Sequence, residues 1–267
     1  MDWRGEALVG RGVVERGFEL DVDGRWVPGL LWTPEGAEGP RPLVVIGHGA
    51  SVHKRIEYLL ALARRFVRHH GFAVVSIDGP EHGDRGGMDS HLAFAEVWCR
   101  PTITDDTVAE LHAAVAAVQE LDEVGDGPLG YWGLSMGSIF GIPYVASEPR
   151  VRAAVFGLLG VSGPTKDRLR ADAGRITCPV LFLLQMDDEL FAREKVLELF
   201  AAVGSADKRL HAHPGGHSGT PREEFDASEW FLAQRLRQAQ PWPERPGGEA
   251  PESGQSALAK TPSTMRG

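Results

Sequence analysis

The sequence predicts an α/β fold: a mostly parallel central sheet with helices on both faces and no large cap domain. Three observations carry that expectation. Short, wholly apolar runs bounded by turn residues recur along the chain, as strands buried on both faces of a parallel sheet require. Segments with apolar residues three and four apart separate those runs, which is the alternation that strand-helix-strand units need. The length of 267 residues and the 42% apolar content suffice for one substantial core.

Residues 12–32 alternate loosely and predict an antiparallel hairpin at one edge of the sheet. LVVI at 43–46 is the first buried strand. Ile56, Leu59, Leu60, Ala63, Phe66 and Val67 then mark one helix face, and Gly71 supplies its stop. FAVVSI at 72–77 is the next strand. Beyond a glycine-rich loop, Asp105 and Asp106 are placed to cap a helix whose apolar face carries Val108, Leu111, Val115, Val118 and Leu121. A strand at 129–132 leads into a helix over 136–146. Strand 153–159, a short helical or looped segment near 167–173 and strand 180–184 continue the alternation. A helix over 193–203 ends at Gly204, a strand covers 209–212, and Thr220-Pro221 opens a last helix running to about Leu236. One domain is therefore expected over residues 1–237. From Gln238 the composition turns to Pro, Gly, Ser and Glu with little to bury, which predicts a disordered tail over 238–267.

Charge and cysteine content narrow the function classes. With 28 Lys and Arg against 37 Asp and Glu the formal charge is −9, which disfavours binding to a phosphate backbone. Cys99 and Cys178 form neither a C-x-x-C pair nor a disulfide framework, which suits a reducing cytoplasm. The first residues lack the basic start and apolar stretch of a signal peptide, and no apolar run approaches the roughly 20 residues needed to span a bilayer. The expectation is a cytoplasmic protein with no nucleic-acid or membrane partner.

One short stretch carries chemistry. GYWGLSMG at 130–137 sets Ser135 between Gly133 and Gly137, directly after a buried strand and directly before a helix. Gly-x-Ser-x-Gly is common by chance in a glycine-rich chain; its position at a strand-to-helix turn gives it weight. A turn sharp enough to lift a hydroxyl above the sheet strains the backbone at the serine, and side chains two residues away would collide with neighbouring elements. The helix start also presents free N–H groups where negative charge develops. The competing reading is a serine that merely caps the helix.

A serine hydroxyl needs an adjacent base, and the base needs an acid. Among ten histidines, His217 follows the turn Pro214-Gly215-Gly216 after the last strand, where its ring can swing over the C-terminal edge of the sheet. His211, His213 and His217 also spell H-x-H-x-x-x-H, a pattern that suggests a metal site, but no carboxylate or cysteine is expected to complete it, so no metal or other cofactor is expected. Strand 180–184 runs into Asp187 and Asp188, whose side chains point opposite ways in an extended segment, so only one can face the histidine.

On these motifs, residues 40–236 resemble the α/β-hydrolase superfamily, with Gly133-Leu134-Ser135-Met136-Gly137 similar to its nucleophile elbow and Pro214-Gly215-Gly216-His217 similar to its histidine loop. The resemblance implies a triad of Ser135, His217 and an acid that usually closes a Gly-x-x-Asp turn. Gln185 stands where that glycine would be, which puts Asp188 in the acid position and leaves Asp187 as the fallback. His48-Gly49-Ala50 resembles the family's His-Gly-x turn, by which the N–H groups of Ala50 and Met136 would hold an oxyanion. The segment 78–85 resembles an Asp-x-Pro-x-His-Gly turn that is mainly structural in the family, so His82 is not expected to be catalytic. Only about 20 residues follow residue 159 before the next strand, too few for a large cap. Met88, Leu92, Phe94, Val97 and Trp98, within residues 85–104, either wall a pocket or cover the core. This compact layout looks most like the dienelactone-hydrolase-like and small carboxylesterase branches. Dienelactone hydrolase itself uses a cysteine nucleophile, where this chain has Ser135.

The implied function is a serine hydrolase that cleaves a small-molecule ester or thioester through an acyl-enzyme. The competing readings are a small peptidase or amidase of the oligopeptidase-like branch, and a non-catalytic binding protein on the same scaffold.

Overall fold

A computed structural model describes residues 1–86 and 91–238. Its single sheet has nine strands: β1 (Asp2–Gly10), β2 (Val13–Val22), β3 (Arg25–Pro34), β4 (Leu43–Gly47), β5 (Ala73–Ile77), β6 (Leu129–Gly133), β7 (Val151–Gly157), β8 (Val180–Gln185) and β9 (Lys208–His213). They lie side by side in the order β1-β2-β3-β5-β4-β6-β7-β8-β9. The first three strands are antiparallel, β3 pairs antiparallel with β5, and the remaining pairs are parallel. This is the α/β fold with a mostly parallel sheet that the sequence predicts.

Alternation within the strands sorts side chains to two cores. Leu43, Val45, Tyr131, Phe156 and Phe182 point to one face and pack with residues of helices α3 (Ile103–Gln119), α4 (Met136–Ser147), α5 (Lys166–Arg175) and α6 (Arg193–Ala202). Val44, Ile46, Trp132 and Val155 point to the other and pack with α1 (Glu57–His70) and α7 (Arg222–Gln238). Gly71 ends α1 in the left-handed region, its N–H donating to the carbonyls of Phe66 and Val67. No described helix is long and apolar enough to cross a membrane.

Several boundaries differ from the sequence reading, each for a physical reason. The N-terminal hairpin β2–β3 is preceded by β1, whose residues are all exposed. A strand that buries neither face leaves no hydrophobic alternation to read. α3 begins at Ile103, so Asp105 and Asp106 lie in its first turn and complement the helix dipole instead of capping it. The segment near 167–173 is a full helix, α5. Helix α2 (His91–Trp98) buries Phe94, Val97 and Trp98 in the core on the α3–α6 side. Met88, the Leu92 side chain and the tail over 239–267 lie outside the described residues.

The strand order reverses at β4, which has β5 on one side and β6 on the other. In open α/β sheets the crevice beyond the C-terminal ends of the strands at such a reversal is where ligands bind. Turns after β4 and β6 meet there, and Gly47 at the end of β4 is in register with Gly133 at the end of β6.

Candidate active site

Ser135 sits between β6 and α4 with φ 55° and ψ −119°, a backbone conformation that L-residues rarely adopt. Its side chain makes no capping bond to α4, which removes the reading as a simple N-cap. The flanking glycines are sterically required. A Cβ at Gly133 would lie 2.8 Å from the Gly137 carbonyl oxygen, and one at Gly137 would lie 2.7 Å from that of Gly47. Two side chains that carry no motif brace the turn from below. The Tyr131 hydroxyl donates to the Gly137 carbonyl at 2.6 Å, and burial raises its pKa, so it remains a phenol. The Ser138 hydroxyl donates to Gly133 O at 2.8 Å and accepts the Gly157 N–H at 2.9 Å, tying the elbow to β7.

His217, on the loop between β9 and α7, brings Nε2 to 2.9 Å from Ser135 Oγ. Its Nδ1 lies 2.8 Å from Asp188 Oδ2. With the proton on Nδ1, the ring donates to the carboxylate and accepts from the serine hydroxyl. Asp188 Oδ1 accepts the N–H groups of Leu190 at 2.8 Å and Phe191 at 3.0 Å, so the carboxylate is held from both ends. Burial alone would raise the Asp188 carboxyl; the bond from His217 outweighs it and keeps the group below its ordinary range.

The neighbouring Asp187 turns away and accepts the Gly215 N–H at 3.3 Å. The structure therefore brings Asp188, and not Asp187, to the histidine. Glu189, which no sequence motif marks, accepts the His217 backbone N–H at 2.8 Å, and that bond holds its carboxyl below the usual range.

Ala50 lies beside Ser135 and His217 in the wall of one pocket, and Met136 is the first residue of α4. Among the described residues, neither backbone N–H has an intramolecular acceptor, so both remain available to a ligand oxygen. The turn that holds Ala50 is braced twice. His48 Nε2 accepts the Gly79 N–H at 2.8 Å while its Nδ1 lies 2.7 Å from the Gly49 carbonyl, and Tyr58 accepts the Gly49 N–H at 3.0 Å. Burial depresses His48 to about 4 and raises the Tyr58 phenol to about 12, so both stay neutral near pH 7. His82 is buried with its Nδ1 2.7 Å from the Pro80 carbonyl, away from Ser135.

The pocket above Ser135 has a volume of about 390 Å³, and its apolar walls are Val52, Leu134, Leu158 and Phe225 with Tyr58. Leu134 and Leu158 belong to the core on the α1/α7 side of the sheet, and Tyr58 and Phe225 pack against it. Phe94, Val97 and Trp98 lie on the opposite side, so these three cover the core and do not wall this pocket.

His211 and His213 do not join His217. Both contact the buried carboxylate of Glu224 on α7, so the expectation that no carboxylate completes their pattern is corrected. The missing group comes from the helix that follows the loop.

A model of the dienelactone hydrolase family matches residues 27–229. The chain belongs to that family. It is an enzyme of the α/β-hydrolase, carboxylesterase-like kind. Among solved structures, a cold-adapted esterase from an Arctic intertidal metagenomic library is 40% identical, with a TM-score of 0.82 over 88% of this chain and 100% of that one. An acetyl xylan esterase from Paenibacillus sp. R4 shares the fold at 17% identity, with a TM-score of 0.69 over 87% and 88% of the two chains. Among curated proteins, 2,6-dihydropseudooxynicotine hydrolase of Paenarthrobacter nicotinovorans is 27% identical over 137 residues, 51% of this chain. That match spans only 33% of the relative's length. Within this dienelactone hydrolase family member, neither cysteine lines the pocket, and burial pushes the Cys178 thiol up to about 12. The pocket is lined instead by Ser135 and His217.

Proposed function

We propose that the protein is a serine esterase that cleaves small carboxylic esters or thioesters through an acyl-enzyme. The observation that carries this reading is the continuous chain from Asp188 through His217 to Ser135 at the floor of the pocket. Ser135 Oγ attacks the acyl carbonyl as His217 Nε2 takes its proton. The N–H groups of Ala50 and Met136 hold the resulting oxyanion, a contribution worth about 2.7–4 kcal/mol per donor in comparable sites. His217 then returns the proton to the departing alkoxide or thiolate, and water releases the acyl group by the same steps in reverse. Asp188 fixes the histidine tautomer throughout. A cavity of about 390 Å³ with apolar walls suits a small acyl ester. The esterase similar at 40% identity over its whole length supports the same chemistry.

The test is direct. A fluorophosphonate should label Ser135, as located by peptide mass spectrometry, and Ser135→Ala should lose at least about 10⁴-fold in kcat toward p-nitrophenyl acyl esters. Full activity in Ser135→Ala, or labelling at another residue, would remove the assignment.

A further inference from the structure

Outside the pocket, one cluster of side chains has the composition of a ligand set. His211 and His213 alternate along β9 and so share a face, and that face meets the first turn of α7, which carries Glu224. His211 Nδ1 lies 2.9 and 3.0 Å from the two Glu224 oxygens, and His213 Nε2 lies 2.7 Å from one of them. One donor atom from each of the three residues falls within 4.8 Å of the others. Glu224 is 2% exposed. Among the described residues, no Lys or Arg forms an ion pair with it, so its charge is met only by imidazoles, which are neutral unless protonated. Arg209, on the same strand face, is turned to Asp207 and to the Phe231 ring.

A second cluster on the same helix shows what a purely structural version looks like. Glu229 contacts His69 and His70 and also forms an ion pair with Arg65, while Arg237 Nη2 lies 2.8 Å from His70 Nδ1. Two guanidinium groups already neutralise that cluster and would repel a dication. Glu224 has the ligands without the competing cations.

We propose that His211, His213 and Glu224 bind a divalent transition-metal ion of the zinc type, with solvent as the fourth ligand. Two imidazole nitrogens and a carboxylate suit such an ion, whose bonds of about 2.0–2.2 Å at tetrahedral angles set ligand atoms about 3.4 Å apart. The present contacts of 2.7–3.0 Å need to open by about 0.4–0.7 Å. Each neutral ring has a single N–H; when the ion takes the nitrogen that now faces Glu224, that proton passes through solvent to the other ring nitrogen, so the imidazole stays neutral and gives its lone pair to the ion. The His211 and His213 side chains are 39% and 23% exposed, which leaves a side open for water. His213 and Glu224 stand at the two stems of the loop that carries His217, so the ion ties that loop at its base. It is a staple outside the pocket, not a participant in ester cleavage.

The experiment uses the full-length protein, stripped with a chelator and titrated with Co²⁺. One equivalent should give the intense visible absorption of a four-coordinate cobalt site, and Zn²⁺ should abolish it and raise Tm. His211→Ala, His213→Ala and Glu224→Gln should each weaken Co²⁺ binding at least about tenfold, while the double change His69→Ala with His70→Ala leaves it unaltered. If Glu224→Gln does not fold, His211→Gln at the more exposed ligand carries the same test. A featureless titration, or a cobalt signal that survives these changes, overturns the proposal. None of these readouts depends on esterase activity, so they stand apart from the fate of Ser135.

Discussion

Asp78 and Asp188 invite comparison, because both are buried carboxylates just beyond strands that end at the same edge of the sheet. Each accepts two backbone N–H groups and one side chain. Asp78 takes the N–H groups of Lys54 and Asp84, both at 2.9 Å, together with the Lys54 ammonium. Asp188 takes those of Leu190 and Phe191 together with His217. The backbone part is the same turn chemistry, and only the third partner differs. The Lys54 side chain has one nitrogen and no second one to relay a proton onward, so its pair can only lock a loop. An imidazole can pass a proton through its far nitrogen, and here that nitrogen faces Ser135. A strand-end aspartate is structural or functional according to what it holds.

Substituting each aspartate by asparagine should separate the two roles. Asp188→Asn should lower kcat by about 10⁴-fold, through loss of the productive tautomer, with a smaller fall in the urea midpoint than Asp78→Asn causes. Asp78→Asn should do the reverse. It leaves the Lys54 ammonium, in a residue 7% exposed, with only the more exposed Asp84 at 3.0 Å. Destabilisation on the order of 3 kcal/mol is expected for such a broken buried pair, with kcat of the folded fraction within about threefold of wild type. Urea denaturation and steady-state kinetics on both variants decide the matter. The contrast fails if Asp78→Asn loses turnover at unchanged stability.

The same contrast explains what was legible in the sequence. Strands β4 to β8 are readable because burial on both faces makes them short apolar runs, whereas β1 buries nothing and has no such signal. Ser135 and His217 stand out because glycines must flank the sharp turn at the serine and because Gly215, before the histidine, takes a positive φ. The choice between Asp187 and Asp188 rests on which way each side chain turns, and that follows from the N–H groups of Leu190, Phe191 and Gly215, which are backbone and leave no trace in residue types. Tyr131, Ser138 and Glu189 were invisible for a related reason: each acts on a main-chain group, and many side chains can do that. Glu224 was missed because its partners are on a strand and it is on the next helix, so only packing joins them.

Glu189 tests how far support of the histidine extends beyond Asp188. Its carboxylate holds the His217 N–H from solvent, and it is an exposed residue. Glu189→Ala should therefore cost only about tenfold in kcat, with KM nearly unchanged. Glu189→Gln, whose amide oxygen still accepts the bond, should recover most of it. Equal losses in both variants would assign the effect to charge instead of to the hydrogen bond.

The smallest expected effect concerns histidines rather than aspartates, and it extends the comparison to pH. His48 has both ring nitrogens committed to the Gly49 and Gly79 main chain, and burial holds its pKa at about 4 against an ordinary 6.5. Because the native state refuses a proton that the unfolded chain accepts, His48 contributes stability that is complete above pH 6.5. That stability is lost as the pH falls toward 4, at up to about 1.4 kcal/mol per pH unit. Asp188 has the opposite charge type: its depressed carboxyl contributes stability that is complete above the ordinary carboxylate value and disappears only below it. Between pH 6.5 and 4.5 the two are therefore separable by urea denaturation. Wild type and Asp188→Asn should lose stability in parallel across that window, and His48→Asn should show a shallower slope. A slope in His48→Asn equal to that of wild type would mean that the imidazole accepts its proton in the folded state. In that case the turn that carries Ala50 would be set by something other than a neutral His48.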